Sequence, residues 1–289
     1  MSENVISTWL EKPPYDIAVL LPTRGRKQAL KDSIMSLVDL AHDIHRIQIL
    51  LGFDNDDKDS IQWCMDNILP TLSDRGVLCT IFEFEPLGYI RLNQYVNSLA
   101  KHAAAQWLMF WNDDAVMETT NWDQHITACT GRFRVLRMKT HNEHPYAIFP
   151  IVPRDWYFLF GYLSPHQISD AWISQTGFLL DIVETIDVTV LHDRHDLTGN
   201  NGDSTFNNRP MLEGNHNHPA DFNHENWRRQ RFSDANKIAW YLHNTGEDMS
   251  WFQAVARGDQ NPWEKMLSKE YDPNQQTKII FDARENPNE

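Results

Sequence analysis

Two adjacent carboxylates, Asp113 and Asp114, follow Asn112 directly after the apolar run Trp107-Leu108-Met109-Phe110-Trp111. Five apolar residues, rich in aromatics and too short to span a membrane, read as a strand buried on both faces. Carboxylates crowded at the end of such a strand repel one another unless something positive lies between them. Magnesium or manganese would satisfy them, as hard cations that take oxygen ligands and leave positions open for substrate phosphates. An isolated Asp-Asp also occurs as an acidic turn that caps the next helix. The neighbouring elements decide between the two.

Asp16 to Leu21 reads as a first buried strand, ended by Pro22-Thr23-Arg24-Gly25-Arg26. Lys27 to Leu40 carries apolar residues at Leu30, Ile34, Met35, Leu37 and Val38, the helical spacing. Arg46 to Gly52 is a second strand, closed by Phe53-Asp54-Asn55-Asp56-Asp57. Ser60 to Leu69 predicts a helix stopped by Pro70. Val77 to Phe84 is a third strand, and after Gly88 a helix over Ile90–Gln106 leads into the strand at 107–111. This alternation argues for an α/β fold, a mostly parallel sheet with helices on both faces. Ligands in such sheets bind beyond the carboxyl ends of the strands. Thr23, Arg24 and Arg26, then Asp54 to Asp57, then Asn112 to Asp114 all collect there, which favours a site over a capping turn.

Absences narrow the chemistry. No G-x-G-x-x-G follows the first strand, no G-x-x-x-x-G-K-[ST] is present, and no G-x-S-x-G elbow occurs. What remains is a phosphate-containing ligand held through a metal on carboxylates. The charge balance agrees: 26 Lys and Arg against 40 Asp and Glu give a net charge of −14, with no long basic run. Binding along a nucleic-acid backbone is not expected, and an acidic protein that handles an anionic substrate needs a mediating cation. Cys64, Cys79 and Cys129 are not spaced as zinc ligands and suit a reduced, cytoplasmic setting. No signal peptide or membrane-spanning run is visible.

In this order, a strand ending Pro22-Thr23-Arg24, a strand ending in Asp54, a helix bearing Arg91 and Asn93, and a strand ending Asn112-Asp113-Asp114 resemble a GT-A glycosyltransferase, closest to the family 2 type. The resemblance covers about residues 15–195. It implies a GT-A domain over 1–196 and a loop or lid with a helical C-terminal extension over 197–289. Its implied activity is metal-dependent transfer of a sugar from a nucleotide-diphosphate sugar, a UDP-sugar, to a hydroxyl acceptor. Pro22, Thr23 and Arg24 would line the base and Asp54 would accept a hydrogen bond from it, with Arg91 and Asn93 also on the nucleotide side. The acidic triplet corresponds to the D-x-D motif. Asp114 would ligate Mn2+ or Mg2+, and Asp113 would lie near the ribose or sugar. Asn112 departs from the motif and is not assigned as a ligand.

Beyond the motif, Asn121 to Thr130 reads as a short helix and Tyr146 to Val152 as a strand. The aromatic stretch Trp156 to Tyr162 is either core packing or an acceptor platform. Asp170, near the start of an apolar-patterned helix, has an ordinary cap as its competing role. The resemblance implies that it is the base that deprotonates the acceptor hydroxyl. Ile186 to Leu191 is a last strand, and the resemblance puts an additional metal ligand at His192, with His195 as the fallback. Residues 197–230, rich in Asn, Asp, Gly, Pro and His, read as a long loop able to close over the donor. Arg228, Arg229 and Arg231 there are either a phosphate clamp or a solvated basic patch. Short helices follow at Asp234–Tyr241, Met249–Arg257 and Pro262–Leu267, and the tail from Arg284 is expected to fray.

Three other readings share these features. A sugar-phosphate nucleotidyltransferase also joins a sheet, a nucleotide and metal-binding carboxylates. A metal-dependent hydrolase could be built on the His/Asp-rich stretch from His192 to His224. A carbohydrate-binding module would account for the 11 Trp.

Overall fold

Strand β1 (Tyr15–Thr23) divides the interior into two layers. Ile17, Val19 and Leu21 point into one apolar layer, and Ala18 and Leu20 point into the other. The computed structural model that shows this describes residues 13–141, 144–193 and 221–262. After β1 come α1 (Lys27–Leu40), β2 (Ile47–Asp54), α2 (Lys58–Asn67), α3 (Leu69–Asp74), β3 (Leu78–Phe84), α4 (Leu92–His102) and β4 (Ala105–Phe110). The first layer packs under α1, α2 and α3 through Leu30, Ile34, Ile61 and Leu72. The second packs under α4 through Val96 and Leu99. β1, β2 and β4 are buried on both faces, which is why they read as unbroken apolar runs.

The second half contains β5 (Ala115–Met117), α5 (Trp122–Thr127), β6 (Val135–Thr140), β7 (Ile151–Pro153), α6 (Arg154–Phe160), α7 (Ser169–Leu180), β8 (Val183–His192), α8 (Glu225–Asn244) and α9 (Ser250–Ala256). Among the described residues the eight strands form one sheet in the order β3-β2-β1-β4-β7-β6-β8-β5. β3, β2, β1 and β4 run parallel, and β7 and β5 are antiparallel to their neighbours. The chain steps outward from β1 to β2 and β3, then crosses back to place β4 on the other side of β1. That reversal opens a crevice between the carboxyl ends of β1 and β4.

Several sequence expectations are corrected here. Pro70 does not end helical structure. It sits in the first turn of α3, where its missing N–H costs nothing. The helix expected over 90–106 is a 3₁₀ turn at Tyr89–Arg91 followed by α4, which stops at His102 because Ala103 is extended. Of the strand expected over 146–152, only its end pairs, in β7. The Ala147 N–H goes instead to Ser174 Oγ at 2.9 Å, and the Tyr146 N–H to His144 Nδ1 at 3.1 Å. The aromatic stretch after Pro153 begins as helix α6, and Trp156 is fully buried with its indole N–H on Leu163 O at 3.1 Å. Trp156 is therefore core.

The long loop does not extend to 230, because α8 begins at Glu225. His224 caps it by accepting the Asn226 N–H at 3.3 Å. Arg231 is no part of a solvated patch. It is completely buried, with its guanidinium 4.2 Å from the Phe222 ring centre and 5.4 Å from that of Trp172, and Nη1 donates to Phe222 O at 2.8 Å. Burial lowers its pKa to about 9. Arg229 is exposed and pairs with Glu225 one turn away. Ala235, Ile238 and Leu242 of α8 and Phe252 and Val255 of α9 enter the same apolar layer as α7, so these C-terminal helices are packed on the sheet domain. His195, the stretch 194–220, most of the helix expected at Pro262–Leu267 and the tail lie outside the described residues. No helix among the described residues is long and apolar enough to cross a membrane. Cys64, Cys79 and Cys129 are all free thiols.

Candidate functional site at the carboxyl ends of β1 and β4

The acidic turn after β4 is held from three sides. Trp111 extends the β4 alignment by donating its backbone N–H to Leu20 O at 3.0 Å, and its indole donates to Ser33 Oγ at 2.8 Å. Ser33, on α1, in turn donates to the Asn112 carbonyl at 3.0 Å. The Asp114 carbonyl accepts the Asp193 N–H at 2.7 Å, which ties the turn to the end of β8. Two carboxylates are thereby fixed in a turn that they would otherwise push apart.

Their partners differ. Asp113 accepts from Thr23 Oγ1 at 2.7 Å through one oxygen and from Arg26 Nη1 at 2.9 Å through the other. Asp114 receives the same Arg26 nitrogen at Oδ2, 3.3 Å away. Its Oδ1 faces His192 Nε2 at 3.5 Å as an ion-pair contact, and neither buried atom has a well-formed hydrogen bond. Burial, opposed by Arg26 and reinforced by Asp114, pushes the Asp113 carboxyl up to about 6. Burial acts on Asp114 in the same direction, but the facing imidazole and Arg26 outweigh it and hold that carboxyl below its usual range. Their surroundings thus push the two carboxyls in opposite directions.

A carboxylate oxygen and an imidazole nitrogen, orphaned and aimed at one another, are suitable donors for a divalent ion. Bonds of about 2.1 Å to each would put the two donors roughly 3.0–3.5 Å apart. No group of three or more His, Cys, Asp or Glu side chains that could hold a metal occurs among the described residues. A metal here would need its remaining ligands from a substrate or from water, the usual situation for magnesium beside phosphates.

On the far side of β1, Asp54 ends β2 and is buried. Arg24 Nη1 reaches its Oδ2 at 2.6 Å, and the Tyr95 hydroxyl on α4 donates to Oδ1. Arg24 also grips Asp56, with Nη2 on Oδ2 at 2.9 Å. Asp56 first and then Asp54 raise the Arg24 pKa. Burial, then the hydrogen bond to Asp54, pushes the Tyr95 hydroxyl up to about 12. Tyr95 also accepts the Leu87 N–H at 2.7 Å. Gly25, at φ +72°, makes the left-handed turn between the two arginines, and its N–H goes to Asp57 Oδ2 at 2.8 Å. Asp57 also caps α2 through Ser60.

Thr23, Asp113, Asp114 and His192 thus lie in one chain of contacts through Arg26, Arg24 and Asp54 form a second with Asp56 and Tyr95, and Pro22 is paired with Gly52. Asn93 and Arg91 are placed otherwise. The Asn93 side chain is buried and donates to the Ser164 carbonyl at 3.3 Å, whereas Arg91 is exposed at the end of the 3₁₀ turn. Asp170 lies half-buried in the first turn of α7. The N-cap is Ile168, so Asp170 is not the capping residue.

Three contributors have no role assigned from sequence, although Arg26 is already placed there at the end of β1. Arg26 bridges the acidic pair. Tyr95, on α4, orients Asp54. Asn97 fixes the turn before α7, accepting the Leu163 and Ser164 N–H groups at 2.8 and 3.2 Å and donating to Ser164 O at 2.8 Å. Only Arg26 left a signal, as a second arginine in the loop after β1.

No protein-family model matches the sequence, and no curated protein matches it at a significant level. Solved structures do match. TarS 1–349 of S. aureus in complex with UDP-GlcNAc superposes with a TM-score of 0.54 at 11% identity, covering 87% of this chain and 79% of that one. The same protein in complex with UDP gives 0.45 at 11% identity, over 62% of this chain and 58% of that one. The mannosyltransferase PcManGT from Pyrobaculum calidifontis, in complex with GDP-Man and Mn2+, gives 0.48 at 10% identity, over 89% and 83%. At these identities the likeness is one of fold: the chain is a mixed α/β protein with a GT-A-like, mostly parallel Rossmann-type sheet.

Proposed function

We propose that this chain is a divalent-metal-dependent glycosyltransferase that moves a sugar from a nucleotide-diphosphate sugar, a UDP-sugar, to a hydroxyl acceptor. One observation carries the reading: Asp114 Oδ1 and His192 Nε2 are buried, unpartnered and 3.5 Å apart beside the crevice between β1 and β4. Buried polar atoms are seldom left unpaired, because each costs on the order of 1–3 kcal/mol. A ligand that pairs both at once removes that cost.

In this reading Asp114 and His192 hold Mn2+ or Mg2+, and the ion supplies Lewis-acid stabilisation of charge on the leaving diphosphate. The chain's own residues do the rest. Asp54, oriented by Tyr95 and Arg24, accepts a hydrogen bond from the base, which Pro22, Thr23 and Arg24 line. A carboxylate has lone pairs to spare after accepting two hydrogen bonds. Asp113, anchored by Thr23 and Arg26, lies near the ribose or sugar. Asp170 takes the proton of the acceptor hydroxyl as it attacks the anomeric carbon. Arg91 and Asn93 stay on the nucleotide side of the proposal, Asn93 acting through the Ser164 turn that it holds.

The test is a melting-temperature screen with UDP, GDP and their sugars, with and without manganese, because a ligand of the native state raises the midpoint by mass action. A rise with UDP that requires manganese, followed by release of nucleoside diphosphate on adding acceptor, is the expected outcome. Release of pyrophosphate instead points to nucleotidyl transfer, and no nucleotide effect at all overturns the reading.

A further inference from the structure

Arg26 places one nitrogen between the two carboxylates, 2.9 Å from Asp113 Oδ1 and 3.3 Å from Asp114 Oδ2, with its side chain only 16% exposed. It is thus bound to the same carboxylate that, with His192, has the orphaned metal-donor atom. We propose that Arg26 couples metal binding to nucleotide binding: it is the resident counter-ion of the acidic pair, and it keeps a divalent ion from binding tightly until a diphosphate arrives. This rests on the metal-dependent reading above and deepens it.

Charge balance is the physical basis. Asp113, Asp114 and Arg26 together carry one net negative charge. A divalent ion added to that cluster leaves it net positive in a poorly solvated corner, where uncompensated charge is costly. A diphosphate restores the balance, so ion and nucleotide each favour the other. Without Arg26 the two carboxylates alone neutralise the ion, and the nucleotide is no longer needed. Thr23 and Asp113 explain why the arginine is not simply expelled. Asp113 accepts from Arg26 at 2.9 Å and is itself fixed by the Thr23 hydroxyl at 2.7 Å. Other neighbouring cations are committed elsewhere, Arg24 to Asp54 and Asp56 and Lys27 to Asp59.

The experiment measures the Mn2+ dissociation constant by the free-ion paramagnetic signal, with and without saturating UDP, on the full chain. The ratio of the two constants is the coupling, which for linked sites is typically about 5–150-fold. Arg26→Gln, which keeps a donor for Asp113 and removes the charge, is expected to tighten Mn2+ binding without UDP and lower the ratio by about tenfold. Arg26→Lys, which keeps the charge, is expected to retain the coupling. Asp113→Asn shifts the cluster the other way and is expected to raise the ratio, so the proposal stays testable if Arg26→Gln does not fold. An unchanged ratio in Arg26→Gln or Asp113→Asn overturns it. If the unaltered chain binds no Mn2+ even with UDP, the metal-dependent reading has failed instead, and the two failures are distinct.

Discussion

His192 Nε2 and Asp114 Oδ1 face each other across 3.5 Å although their residues are far apart in sequence, and neither atom has another partner. The β5–β8 pairing makes this meeting, with Ala115 opposite His192. Asp114→Asn is expected to lower turnover by roughly 10²–10³, the scale of losing one electrostatic contact to a developing charge. His192→Ala is expected to weaken Mn2+ binding in the presence of nucleotide. Asp114 also accepts from Arg26 and His192 packs edge-on against Phe149, so each variant is expected to lose some stability as well, and turnover and Mn2+ binding are measured below the melting transition of each. Near-normal metal-stimulated transfer by Asp114→Asn, followed by product release, is the contrary result.

Tyr95 bridges Asp54 and the Leu87 N–H. Tyr95→Phe strips a donor from a buried carboxylate and an acceptor from a backbone amide, at a cost of about 1–3 kcal/mol. Urea unfolding should show this as a lower midpoint with an unchanged slope. Nucleotide affinity should fall as well, since Asp54 is freed to turn. A Phe variant with native affinity would show that Tyr95 does not position Asp54.

The turn before α7 depends on Asn97, which satisfies the Leu163 and Ser164 amides and one carbonyl. Ser164 Oγ then donates to His166 O at 2.7 Å, and His166 Nδ1 accepts the Ile168 N–H at 3.1 Å, two residues before Asp170. Asn97→Ala is expected to cost about 1–3 kcal/mol and to lower kcat with the donor KM unchanged. Steady-state kinetics separate this from general loosening, which would move both constants.

Asp234 on α8 is buried and accepts from the Tyr162 hydroxyl at 3.0 Å and from Gln230 at 2.9 Å. Burial outweighs those hydrogen bonds and raises its pKa. A folded pKa above the unfolded one means that the native state holds its proton longer as pH rises. This residue's contribution to stability is therefore greatest in acid and is lost as pH climbs from the unfolded value through the folded one. Asp234→Asn removes that dependence. The melting temperature of the unaltered chain minus that of the variant should fall from pH 4 to pH 7, and a rise contradicts the assignment.

Sequence shows the first half of the sheet because β1, β2 and β4 are apolar on both faces and their ends carry the polar chemistry. The second half is harder to read. β6 alternates buried Leu136 and Met138 with Arg137 and Lys139 on its other face but spans only six residues, and β5 is only three residues long. α8 begins nine residues before its apolar pattern suggests, because its first buried positions are Arg231 and Asp234 rather than aliphatic residues. Within the site, residue types at strand ends mark Asp54, Asp113 and Asp114 as candidates, and the resemblance adds His192. Hydrogen-bond partners drawn from helix faces, such as Tyr95 and Asn97, carry no comparable mark, because an aromatic or an amide in an amphipathic helix is usually structural.

Along β6 and β8, Arg137 pairs with Thr185 whereas Lys139 pairs with Thr189, so β8 advances four residues while β6 advances two. The excess is even, and side chains alternate with a period of two. The bulge thus lengthens β8 without turning it over. An insertion or deletion of one residue between Thr185 and Thr189 would invert the strand beyond it, substituting a leucine or an aspartate for the imidazole opposite Asp114. Under the proposed metal-dependent reading, ion affinity at that corner would gauge strand alignment, and a single miscount in the chain would silence it while leaving most of the sheet intact.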